Sequence, residues 1–367
     1  MFRWYTRARE CYAFLDDVTL RPNDSNPFDI LCGSEWFKRG WTLQEVIAPN
    51  TVIFLSKDWK MIGRKSKEAT DVFMQRRPEN LPQDAAHDWQ LDRWNPKVML
   101  DVLHELTSIP KNVLLDHRKD LRWQSVAEKM RWMAGRRTSR VEDLAYCMLG
   151  LFGISMSPVY GEGLMAFDRL QAKILMSSSD ETIFAWDNRG IKSWRMLAQR
   201  PDQFSKSARI HSVQKQGREP YEITNQGLRI RYTPGQDATE TSDDGRPGLQ
   251  IQLNCAAARI EDELLCSLYL EQLTCGHYVR LPPPFWLSLD GELATDAERL
   301  QHQRDSRVKK PRPLKRRYSN LNSNGDVGGK GKSTVIIVHM GQEHHNACRM
   351  ASNKASDVWS KTSLFDH

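Results

Sequence analysis

Glu45 is the residue of this chain best suited to do chemistry. It closes the run Ser34-Glu35-Trp36-Phe37-Lys38-Arg39-Gly40-Trp41-Thr42-Leu43-Gln44-Glu45, so a carboxylate ends a helix near two tryptophans. Apolar neighbours desolvate such a group, which suits it to acid/base work or to stabilising an oxocarbenium ion. The plainer reading is a helix cap or an ion pair with Arg39. Trp36 and Trp41 can stack on a nucleotide base, although aromatics five apart on a short helix more often fill a core.

Other segments imitate sites. Tyr160-Gly161-Glu162-Gly163 has the glycines of a phosphate-cradling loop. It follows no convincing strand and brings no lysine, so a tight turn into a helix is expected there. Gly328-Gly329-Lys330-Gly331-Lys332-Ser333-Thr334 mimics a P-loop, but its first glycine would fall at Asp326 and the strand follows the motif instead of preceding it. His339, His344, His345 and Cys348 are metal-ligand types in a stretch with no preformed geometry, so no metal is expected.

The net charge of +7 is local. Eight basic residues stand between Gln303 and Arg317 with Asp305 as the one acid among them, and they account for the whole excess. Within this run Lys309, Lys310, Arg312, Lys315, Arg316 and Arg317 read as a nuclear import signal or a phosphate-binding arm. Pro311 and Pro313 exclude a helical reader, and no recognition helix accompanies the run, so sequence-specific nucleic-acid recognition is not expected.

No run of about 18 apolar residues exists, so no membrane span is expected. Met1 to Arg7 is charged and lacks a signal core, which reads as intracellular and cytoplasmic. The seven cysteines are scattered without a C-x-x-C pair and read as reduced thiols. No cofactor is expected.

Several elements must position these residues. Trp4–Glu10 looks helical, Cys11–Leu15 is a short strand, and Ser34 caps a helix that stops before Pro49. Thr51–Leu55 is β-branched and aromatic and reads as a buried strand. Residues 61–178 are mainly helical, with a polar loop over 79–96 and helices over 97–106 and 124–133. Ser139 and Glu142 form a capping box for a helix that buries Val141, Leu144, Ala145, Met148, Leu149 and Phe152 and ends at Gly153. A further helix starts near Glu162 and buries Phe167, Leu170 and Ile174. Residues 180–290 form a β-rich domain, with strands at 182–186, 227–232, 248–253, 264–270, 278–281 and 285–287. Residues 291–367 read as a mostly disordered basic tail broken by the apolar burst Val335-Ile336-Ile337-Val338.

Taken in order, Phe2-Arg3-Trp4-Tyr5, Cys11 to Leu15, Trp36 to Glu45, Glu142 to Gly150, Tyr160 to Gly163, Ala166 to Gln171, Ile183 to Trp186 and Thr224 to Leu228 resemble a fungal heterokaryon-incompatibility (HET) domain and the region that follows it. Family motif positions are Trp36, Arg39, Gly40, Trp41, Thr42, Leu43, Gln44, Tyr160, Gly161, Glu162 and Gly163. The resemblance implies self/non-self recognition and programmed cell death through contacts with other incompatibility proteins, including a full-length HET protein. It also implies a TIR-like fold, some examples of which cleave NAD, with Glu45 as the catalytic carboxylate. The family's opening strand, tryptophan-glycine loop and Trp-Ile-Asp segment are not found in this sequence, so an N-terminally truncated domain is expected. The expected class is α+β: a partial α/β HET unit over 1–60, a helical segment over 61–178, the β-rich domain and the tail. An NAD-cleaving enzyme would then need the missing strands or a partner.

Overall fold

Two strands lie where branched and aromatic residues predict them, β1 (Cys11–Phe14) and β2 (Thr51–Leu55), and they pair in parallel from Cys11↔Val52 to Phe14↔Leu55. Parallel neighbours need a crossover. Here it consists of α2 (Pro27–Leu31), a single 3-10 turn (Glu35–Lys38) and α3 (Thr42–Ile47), with α1 (Phe2–Arg7) ahead of β1. The third strand, β3 (Met61–Ser66), is antiparallel to β2 and departs from the helical character expected from residue 61 onward. Then come α4 (Pro96–Thr107), α5 (Lys111–Asp120), α6 (Val126–Met133), α7 (Asp143–Tyr146), α8 (Leu149–Phe152) and α9 (Met165–Ser177).

The computed structural model describes residues 1–24, 26–66, 96–187, 195–207, 210–213, 219, 221–233, 238–243, 246–258, 263–273, 275–281, 334–338 and 340. These fall into two units. The first comprises Met1–Ser125, Lys129–Leu170 and Gln199–Ser205; the second comprises Val126–Glu128, Gln171–Ala198 and the described residues from Lys206 onward. In the first, Leu15, Leu31, Leu43, Ile47, Val52, Phe54, Ile62, Met99 and Leu103 are fully buried, with α4 packed on β3. Burial of these side chains contributes roughly 1.5–3 kcal/mol each.

Two expected helices are broken. The one predicted from Ser34 to Pro49 is split at Arg39, which is extended (φ −83°, ψ 138°). Ser34 does cap the first piece, its Oγ accepting from Trp36 N at 3.3 Å. The one predicted from Ser139 starts at Asp143 and divides into α7 and α8 at Cys147–Met148, and the Glu142 carboxylate accepts from Gly161 N instead of closing the expected capping box. Gly153 ends α8 in the left-handed region (φ 65°), with Ile154 N bonded to Leu149 O at 3.0 Å, as a helix C-terminus requires.

The second unit is built on an eight-stranded sheet. Its strands are β4 (Ile210–Ser212), β5 (Glu222–Thr224), β6 (Gly227–Tyr232), β7 (Ala238–Asp243), β8 (Arg246–Ala258), β9 (Glu263–Gln272), β10 (Tyr278–Leu281) and β11 (Thr334–Val338). The order is β4-β8-β9-β10-β11-β6-β5, with β7 also on β8. Alternation works as predicted: Leu228, Ile230 and Tyr232 on β6 and Leu249, Ile251 and Leu253 on β8 are buried. Arg280 on β10 is buried among carbonyls, donating to Trp186 O at 2.9 Å, with its guanidinium 4.0 Å from the Trp186 ring centroid. Burial pushes its pKa down to about 9.

Two expectations fail in this unit. Residues 182–186 are not a strand: Glu181–Phe184 is a 3-10 turn, capped by Asp180 Oδ1 accepting from Thr182 N at 3.0 Å. The apolar burst assigned to a disordered tail is β11. It is antiparallel to β6 along its whole length and also pairs with β10 at Tyr278↔Val338. The class is therefore α+β, with mixed helices and strands in the first unit and a sheet in the second.

Candidate functional site

The tryptophan-rich run is held from a distant part of the chain. Gly40 N donates to Arg137 O at 2.8 Å and Arg137 N to Lys38 O at 2.6 Å, a short parallel bridge that breaks the expected helix. The approach is close at Gly40, where a Cβ would lie 2.6 Å from Thr138 Cγ2 and 2.8 Å from Met133 Cε, so a larger residue would have to displace those side chains. Arg136, buried with relative exposure of 7%, donates to Arg39 O at 3.0 Å, to Thr42 Oγ1 at 3.2 Å and to Trp132 O at 3.0 Å. Its guanidinium pKa is pushed down to about 10 by burial. Gln44 Nε2 donates to Cys147 O at 2.5 Å, while Gln44 Oε1 is buried without a hydrogen-bond partner. Trp36 is buried edge-on to Phe37 and Phe54, and Leu43 is fully buried, so neither presents a surface to a ligand. Trp41 is half-buried.

Glu45 faces α1 and β1. Its Oε1 accepts from the Tyr5 hydroxyl at 3.1 Å, not from Arg39, whose side chain is exposed. Cys11 and Lys65 join this group. Burial, then the Glu45 charge, pushes the Cys11 thiol up to about 11, so it is no nucleophile at neutral pH. Burial and the Glu45 charge also raise the Tyr5 phenol. Lys65 is fully buried, donates to Val46 O at 2.6 Å where α3 ends, and is pushed by burial down to about 7. Through the Tyr5 hydroxyl the half-buried Glu45 carboxylate ties α3 to α1. Tyr5, Cys11 and Lys65 were not singled out by sequence, because only the fold brings residues 5, 11, 45 and 65 together.

Lys65 has a measurable consequence. Its folded pKa of about 7 lies below the ordinary 10.5, so between these values the unfolded chain binds more protons and stability rises with pH. Cys11 opposes this above pH 9, because its folded value of about 11 exceeds the ordinary 9.0 and stability then falls with pH. Urea unfolding of the first unit is expected to strengthen by about 2 kcal/mol from pH 7 to pH 9. Lys65→Met should flatten that rise, and an unchanged slope in the variant would contradict the assignment.

The Tyr160–Gly163 turn holds an anion of its own. Glu142 Oε1 accepts from Gly161 N at 2.8 Å and Gly163 N at 3.0 Å. Hydrogen bonds from its own amide and from those two keep the Glu142 carboxyl below the usual range. The Tyr160 hydroxyl donates to Asp143 Oδ1 at 3.0 Å, and Tyr146 OH lies 2.9 Å from Glu162 Oε1, which also pairs with Arg169. The amides a phosphate would need are already occupied by a carboxylate.

Among the described residues no group of three or more His, Cys, Asp or Glu side chains is placed to hold a metal ion, and no helix is long and apolar enough to cross a membrane. The P-loop mimic before Thr334, His339, His344, His345, Cys348, the basic run, the strand expected at 285–287 and all of the loop expected over 79–96 except Pro96, which opens α4, lie outside the described residues.

No protein-family model and no solved structure matches the chain. One curated protein does. Over 179 residues, 47% of this chain, the sequence is 35% identical to the vegetative incompatibility protein HET-E-1 of Podospora anserina, and the match spans 11% of that relative. Over close to half its length, then, the chain is similar to a fungal vegetative incompatibility protein.

Proposed function

We propose that this protein acts in fungal vegetative incompatibility, in self/non-self recognition leading to programmed cell death, and that it works through protein contacts. The observation that carries the reading is the 35% identity over 179 residues to a vegetative incompatibility protein. The geometry supports the contact mode. Most motif residues with side-chain partners spend them inside the first unit: Thr42 on Arg136, Gln44 on Cys147, Tyr160 on Asp143 and Glu162 on Tyr146. Meanwhile β1 turns Tyr12 (56% exposed) and Phe14 outward, with the ring of Phe14 stacked 4.6 Å from that of the exposed Trp59. Large exposed aromatics of this kind suit a protein interface. The partners would be other incompatibility proteins, a full-length HET protein among them. The site of action would be the cytoplasm, with nuclear entry through Lys309 to Arg317.

Regulated expression in a filamentous fungus tests this. Growth arrest and loss of viability in the expressing hyphae are expected, and Tyr12→Ser with Phe14→Ser and Trp59→Ser should relieve them. Normal growth at protein levels verified by immunoblot would overturn the reading.

One observation favours a second reading, an NAD-cleaving enzyme. It is the half-buried Glu45 carboxylate gathered with Tyr5, Cys11 and Lys65. Nicotinamide release from NAD by the purified chain, lost in Glu45→Gln, would select it.

A further inference from the structure

We propose that Cys255 and Cys266 form a peroxide-sensitive dithiol that closes to a disulfide between β8 and β9. The two strands are antiparallel and pair at Gln252↔Ser267 and again at Ala256↔Leu265. Between these pairs residues 253–255 stand opposite Cys266 alone, which makes a bulge. Directly opposed residues on antiparallel strands have Cα atoms about 4.5–5.5 Å apart, inside the range a disulfide spans. Both cysteines are free thiols in this structure, and the two lie close enough to act on each other electrostatically. The bulge is pinned from the side: Asn254 N donates to Glu181 Oε2 at 2.6 Å, and Asn254 Nδ2 to Oε1 at 3.0 Å.

The two sulfurs differ in ways that assign them roles. Cys255 is fully buried, whereas Cys266 is half-buried and within reach of a small oxidant. Interaction with the Cys255 thiol, joined by the Ala257 backbone, favours the Cys266 thiolate. The same interaction, burial and the nearby Glu181 and Asp180 charges keep Cys255 protonated. The nucleophile is the thiolate. Cys266 sulfur attacks one oxygen of hydrogen peroxide and breaks the O–O bond. It becomes a sulfenic acid while the departing hydroxide takes up a proton as water. Cys255 sulfur then attacks the Cys266 sulfur. The S–O bond breaks, and the hydroxyl leaves as a second water with the Cys255 proton. One peroxide is reduced to two waters and two thiols are oxidised to one disulfide.

The test uses the full chain treated with hydrogen peroxide, then unfolded in iodoacetamide and mapped by mass spectrometry. The expected product is a Cys255–Cys266 cross-linked peptide pair lighter by two hydrogens, while the exposed Cys32 and Cys275 remain alkylated. In Cys255→Ser, dimedone should trap a sulfenic acid at Cys266 more heavily than at Cys32 or Cys275. In Cys266→Ser no such adduct should form at position 255. Full alkylation of both Cys255 and Cys266 at a dose that oxidises Cys32 or Cys275 would overturn the proposal. So would dimedone labelling of Cys266 no greater than that of the exposed thiols in a folded Cys255→Ser chain.

Discussion

Exchange of Ile336 for aspartate is expected to unfold the eight-stranded sheet of the second unit. Ile336 has a relative exposure of 5% and pairs with Ile230 on β6, while its neighbour Val338 is fully buried. A carboxylate placed there without a partner costs several kcal/mol, a large part of the roughly 5–15 kcal/mol that holds a domain together. Ile336→Val removes one methyl and should cost about 1 kcal/mol. Urea unfolding followed by circular dichroism, with limited proteolysis, measures both. Equal midpoints for the aspartate variant and the parent chain would contradict the placement of β11. The effect is large because, among the described residues, β11 joins β5 and β6 to the rest of the sheet.

Arg136→Met should cost about 2–4 kcal/mol of first-unit stability, since it strips the donors from Arg39 O, Thr42 Oγ1 and Trp132 O inside a packed site. Met fills much of the same volume, so the loss reports hydrogen bonding more than a cavity. Arg136→Lys keeps a cation but not the planar fork, and should fall between the two. Tryptophan fluorescence is a direct readout, because Trp36, Trp41 and Trp132 lie on the segments Arg136 ties together. A methionine variant as stable as the parent would show that the tie contributes little.

What the sequence revealed and what it hid divide along physical lines. Strand β2 and the alternating strands β6 and β8 were legible because their side chains are sorted by a period the backbone imposes. Gly153 was legible because a left-handed helix end favours glycine over other residues. The 3-10 turn at Glu181–Phe184 was not, since its apolar run Ile183-Phe184-Ala185-Trp186 reads equally well as a buried strand. What decides it is a cap, with Asp180 also accepting from Val126 N at 2.7 Å across 54 residues of sequence. The helix break at Arg39 was hidden for the same reason, as it depends on Arg137. Strand β11 is not legible because four apolar residues in polar surroundings give no sign of a partner, and β6 lies about a hundred positions earlier. At the candidate site, Glu45 was found from its place in the motif, but Tyr5, Cys11 and Lys65 come from three other elements with no shared spacing.

The central claim is that the chain acts through contacts and that the Glu45 carboxylate serves the packing of α1 against α3. Its most direct test is to express the parent chain and Glu45→Gln in fungal hyphae and follow viability and NAD content together. Both chains are expected to arrest growth while NAD remains at the level of the control hyphae. A fall in NAD that precedes death with the parent chain, and is lost along with the killing in Glu45→Gln, would contradict it.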